Sequence, residues 1–106
     1  MWRLPGGSIN PQELIMDAVK RELSEESGYF FKSGKQIGYF YTNNRKSSKK
    51  QFIILAKDLY PNKLKEDDNE FIVSYWLSLR KINTMIKNGE IQNINLLAAL
   101  TLFNNI

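Results

Sequence analysis

Glu22, Glu25 and Glu26 are the residues of this chain whose types and spacing best suit chemistry. On a helix they stand at i, i+3 and i+4, so their carboxylates are neighbours on one face. At about 100° per residue they share a sector with Ile15, Ala18, Val19 and Leu23, while Asp17, Lys20 and Ser24 fall on the opposite, solvent side. Like charges gathered on the inward side of a helix repel one another unless a cation sits among them. Hard divalent ions meet that need with carboxylate oxygens. The competing reading is that all three are solvated surface glutamates, which such spacing means on most helices.

Composition narrows the choice of cation and of mechanism. The chain has no histidine and no cysteine. Serine-histidine catalysis, histidine-ligated zinc, thiolate metal sites and disulfide frameworks are therefore excluded. Oxygen ligands remain, and they favour magnesium, manganese or calcium. Fifteen Lys and Arg against eleven Asp and Glu give 15 − 11 = +4, a mild positive charge that suits an anionic ligand without demanding one. No apolar run reaches the roughly 18 residues needed to cross a bilayer, and Pro5-Gly6-Gly7 interrupts the first residues too early for a signal peptide. A cytoplasmic location and no membrane partner are expected.

The elements that must position the glutamates follow from local signals. The length of 106 residues suits one domain, 1–106. Trp2-Arg3-Leu4 reads as the end of a strand, and Pro5-Gly6-Gly7 as a turn open to close approach. The acidic helix is expected to start at Asn10 as N-cap, with Pro11 at N1, Glu13 closing a capping box, and Ile9 and Leu14 spaced as a hydrophobic staple. Gly28 would stop it. Residues 36–42, 51–59 and 70–79 read as strands, and 81–90 and 93–103 as helices. A charged loop occupies 60–69. On the third strand Phe71, Tyr75 and Trp76 offer stacking surfaces, with core packing the better expectation for at least half of it. The order β-α-β-β-β-α-α predicts an α/β domain with helices packed on a mixed sheet.

The stretch from Gly7 to Tyr29 resembles the Nudix box of the Nudix hydrolases. Gly7, five residues, Glu13, seven residues and then Arg21-Glu22-Leu23-Ser24-Glu25-Glu26-Ser27-Gly28-Tyr29 fill its fixed positions at the right spacing. Within the family the chain looks most like the ADP-ribose pyrophosphatase and nucleotide-sugar diphosphatase branch. "LPGGSINPQE", "IILAKDL", "DDNEFIVSYWLSL" and "IKNGEIQNINLLAALTLF" carry that likeness over almost the whole length. Asn10 and Gln12 depart from it, standing where the branch usually has an acid and a glycine. So does the basic loop with Arg45, Lys46, Lys49 and Lys50. The family's strands that usually precede Trp2 have no counterpart, which gives the expectation of an N-terminally truncated domain.

The resemblance implies a fold and a site. The fold is a Nudix-like mixed β-sheet sandwiched between helices. Glu22, Glu25, Glu26 and the Gly6 carbonyl would hold Mg2+, with Mn2+ as a substitute. Arg21 would orient the carboxylates and Glu13 would brace the helix. Asp68 or Glu70 would be the general base, and Arg45 and Lys46 would contact substrate phosphate. The implied reaction is hydrolysis of a nucleoside diphosphate-sugar such as ADP-ribose to AMP and a sugar phosphate, by a protein whose full-length relatives are homodimers. The alternative is a non-catalytic Nudix-like module that binds nucleotides or a protein partner. No nucleic-acid partner is expected, because the basic loop with Tyr39 and Tyr41 is thin support for one.

Overall fold

The computed structural model describes residues 1–43, 48–62 and 73–106. Its elements are α1 (Ile15–Ser27), β1 (Tyr29–Asn43), β2 (Ser48–Pro61), α2 (Leu79–Lys87) and α3 (Ile94–Phe103). The expected strands at 36–42 and 51–59 are present and longer than their apolar cores suggest. They form one antiparallel pair, with Tyr29 opposite Pro61 and Asn43 opposite Ser48. Among the described residues the sheet has these two strands, so it is antiparallel rather than mixed.

Helices lie on both faces of this ribbon. A β-bulge between Gln36 and Gly38 shifts the register, so Gly34 (opposite Ala56) and Gly38 (opposite Ile53) point to opposite faces. A side chain on Gly34 would meet Met16 of α1 and the Phe31 ring. One on Gly38 would meet Leu102 of α3. Phe31 and Ala18 are buried where α1 meets the ribbon, and Lys20 stands over the Phe31 ring at 5.6 Å. Ser24, placed toward solvent by its phase, is only 8% exposed. Phase along one helix cannot show which other parts of the fold cover its second side. A separate apolar cluster of Met85, Ile91 and Leu96 joins α2 to α3, with Leu77 and Ile82 packed against it.

The acidic helix ends where expected and begins later. Gly28 takes the left-handed conformation (φ 76°) and its N–H donates to the Ser24 carbonyl at 2.9 Å. At the other end Gln12 has φ 64°, a conformation no helix continues through. Asn10 to Glu13 instead close a turn: the Glu13 N–H donates to the Asn10 carbonyl and the Asn10 N–H to the Glu13 carboxylate, both at 3.0 Å. That second bond is half of the expected capping box, made by a turn rather than by a helix. Leu14 is the N-cap, and no side chain caps it. Ile9 and Leu14 are both exposed, so no staple covers them.

Two further expectations fail. Trp2-Arg3-Leu4 has no regular secondary structure. Of the strand expected at 70–79, residues 73–78 are irregular and Leu79 already belongs to α2. Ser78 explains that boundary, because its hydroxyl accepts the Lys81 N–H at 3.0 Å and caps α2. Nor do its described aromatics, Tyr75 and Trp76, enter the core. Trp76 is 70% exposed and meets Tyr29 edge-on at 5.3 Å, and Tyr75 meets Trp2 at 5.4 Å. Phe71 lies outside the described residues.

Candidate active site

The site is built where the Pro5-Gly6-Gly7 turn crosses the acidic half of α1. Arg21 is its central strut. Its Nε and Nη2 donate to the two carboxylate oxygens of Glu13 at 3.0 Å each. Nη2 also donates to the Ser8 carbonyl at 2.8 Å, and Nη1 to Glu22 Oε1 at 2.7 Å. Glu25 is a looser partner, one helical turn on, at 3.7 Å from Nη1. One guanidinium thus fixes the turn before the helix, the loop before that turn and two glutamates of the box. Planar, five-donor Arg can do this where Lys cannot. Hydrogen bonds from Arg21, then from the Asn10 N–H, hold Glu13 below the usual carboxylate range. The same pairing with Glu13 and Glu22 raises Arg21 above its ordinary value.

Glu26 is tied to the other side of the turn. Arg3 Nη2 donates to its Oε1 at 2.8 Å and Nη1 reaches Oε2 at 3.4 Å. The Gly6 N–H donates to Oε2 at 2.9 Å. The side chain of Glu26 is 11% exposed and that of Arg3 44%. The Glu26 carbonyl accepts the Ser74 hydroxyl at 2.9 Å, which draws in the irregular segment before α2. Glu22 lies against Gly7, where any side chain would overlap its carboxylate. A larger residue at this position would push the Glu22 carboxylate away from the turn, so glycine lets the two lie in contact.

Two cavities flank this crossing. A cleft of about 740 Å³ runs between α1, the turn and β2, and is lined by Arg3, Gly6, Gly7, Glu22, Lys50 and Phe52 among others. A second, of about 560 Å³, lies beneath Trp2, Arg3, Glu26, Tyr75 and Trp76.

The structure therefore brings Gly6, Arg21, Glu22, Glu25 and Glu26 together, along with Glu13. Gly6 meets Glu26 through its N–H rather than its carbonyl. Among the described residues no three acidic side chains stand gathered around one point as a metal would draw them, and Glu22 and Glu26 are each paired with an arginine. The donor set still fits a hard divalent ion, since its side chains present carboxylate oxygens alone. Asp68, Glu70, Arg45 and Lys46 lie outside the described residues. Sequence reasoning missed Arg3 and the Ser8 carbonyl. Arg3 stands 23 residues before Glu26, and no local pattern connects them.

Comparison with known proteins places the chain in a family. The NUDIX domain family model matches residues 1–100, and the chain belongs to the Nudix family. It is 31% identical over 58 residues to diphosphoinositol polyphosphate phosphohydrolase 2 of Rattus norvegicus, a stretch covering 55% of this chain and 32% of that protein. It also resembles the crystal structure of an ADP compounds hydrolase, with a TM-score of 0.79 and 26% identity over 92% of this chain and 52% of that one. The chain thus matches about a third of the length of the one and about half of the other.

Proposed function

We propose that this chain hydrolyses a diphosphate linkage in a nucleoside diphosphate compound such as ADP-ribose, releasing AMP and a sugar phosphate, with Mg2+ or Mn2+ as cofactor. The observation that carries the reading is the tie between the Pro5-Gly6-Gly7 turn and the glutamate face of α1, through Arg21, Arg3 and the Gly6 N–H. The likeness to an ADP compounds hydrolase favours the nucleoside diphosphate class over a diphosphoinositol.

Glu22, Glu25, Glu26 and the Gly6 carbonyl would hold the metal. When bound, it supplies charge neutralisation at the diphosphate and an acidified water. Arg21 keeps Glu22 in place and limits the mutual repulsion of the glutamates. Water attacks phosphorus, the bridging P–O bond breaks, and a carboxylate takes the water's proton, the role proposed for Asp68 or Glu70. Arg45 and Lys46 are proposed to steady substrate phosphate. A cytoplasmic setting suits a nucleotide substrate, and among the described residues no helix is long and apolar enough to cross a membrane.

The second reading is a Nudix module that binds nucleotides without turning them over. The arginine pairing of Glu22 and Glu26, with no gathered carboxylate group among the described residues, favours it. Incubation with ADP-ribose, with and without Mg2+, separates the two. AMP release that a chelator abolishes supports the hydrolase. Saturable ADP-ribose binding with no AMP supports the module.

A further inference from the structure

We infer that Arg3 is a placeholder cation that holds Glu26 until a divalent metal displaces it. The inference rests on the metal reading above and adds a competitor to it. Glu26 is the more enclosed partner of the Arg3 pair, and both of its oxygens are engaged, Oε1 by Arg3 and Oε2 by Arg3 and the Gly6 N–H. A carboxylate so placed, with Glu22 and Glu25 close along the same helix, needs a positive neighbour in the metal-free chain. Arg3 supplies it from a segment without regular structure, on a side chain that is nearly half exposed and therefore free to leave.

The two arginines differ in this respect. Arg21 also holds Glu13 and the Ser8 carbonyl, so its departure would undo the turn before the helix. Arg3 has, besides Glu26, only the neighbouring Leu4 carbonyl at 3.2 Å among its described hydrogen bonds. Exchange at Glu26 therefore disturbs little else. A divalent ion outcompetes a guanidinium there because it brings twice the charge to several carboxylates at once. Arg3 lines both cavities, so on release its guanidinium is already at the wall of the cleft that contains Glu22. There it can take an anionic phosphate oxygen of the substrate in the two-pronged manner of arginine. Metal binding and substrate grip are coupled through one side chain.

The test is calorimetric titration of Mn2+ into the parent and into Arg3→Met, with no substrate present. Removing the competitor is expected to tighten Mn2+ binding about two- to fivefold, the scale of a partly exposed ion pair. In the same variant the KM for ADP-ribose should rise, since the released arginine is missing. On the unaltered chain, Mg2+ should shift the Arg3 side-chain N–H resonances toward those of a free guanidinium, which keeps the test independent of how the variant folds. A parent that binds no Mn2+ overturns the metal reading itself. A parent that binds Mn2+, with Arg3→Met binding no more tightly and the Arg3 resonances unmoved, overturns the exchange alone.

Discussion

Arg21 touches four groups with one planar side chain, and each contact fixes a different part of the site. Its pairing with Glu13 has a pH signature. Glu13 titrates below its ordinary value in the fold, so the pair stabilises the fold above the usual glutamate range. That contribution drains away as pH falls through the lowered folded value. Melting of the parent and of Glu13→Gln at about pH 7 and about pH 3 should therefore show a gap that narrows in acid. A gap independent of pH would mean that the ion pair contributes nothing. The glutamates of the box allow a second test. Glu25→Gln and Glu26→Gln should each lower metal-dependent turnover by about 100-fold or more, the scale of losing a transition-state electrostatic contact. Circular dichroism should meanwhile report an unchanged fold. Wild-type rates in both variants would remove the metal assignment.

The acidic helix teaches most at the scale of elements. Its C-terminus follows from one residue, because Gly28 adopts a left-handed φ at little steric cost. Its N-terminus does not, because Asn10, Pro11 and Glu13 serve a turn as well as they would serve a helix. What decides is Gln12, held at φ 64°. Gln12→Gly should relieve that strain and raise stability by up to about 1 kcal/mol in thermal or denaturant unfolding. Asn10→Ala should cost well under the ~1 kcal/mol expected of a helix N-cap, because Asn10 contributes to the turn through its backbone. A full capping loss would place the helix start back at Asn10.

At the scale of the whole molecule, several large apolar side chains among the described residues lie exposed. Val73, Tyr75, Trp76 and Ile94 are each at least 65% exposed, and among the described residues both strands of the ribbon are edge strands. A two-stranded ribbon has little stability of its own, and unpaired edges recruit further strands. The chain is therefore expected to self-associate as its concentration rises, as measured by light scattering. Trp76→Ser should weaken association if the aromatic patch drives it, while leaving metal binding intact. A parent that stays monomeric at all concentrations would show that this surface is tolerated as it stands.

The spacing of Glu13, Arg21, Glu22, Glu25 and Glu26, and the Pro-Gly-Gly turn before them, were enough by themselves to name the family and to nominate a candidate site. The reason is that metal-ligand and capping requirements act over one or two helical turns, a distance that linear sequence records. The strands at 36–42 and 51–59 were legible for a similar cause, since aromatic and branched residues declare themselves locally. Long-range contacts leave no such trace. Nothing local pairs Arg3 with a glutamate 23 residues away, buries Ser24, or leaves Tyr75 and Trp76 on the surface of an irregular segment. Those arrangements depend on which faces meet after the chain has closed on itself, and only the tertiary structure decides that.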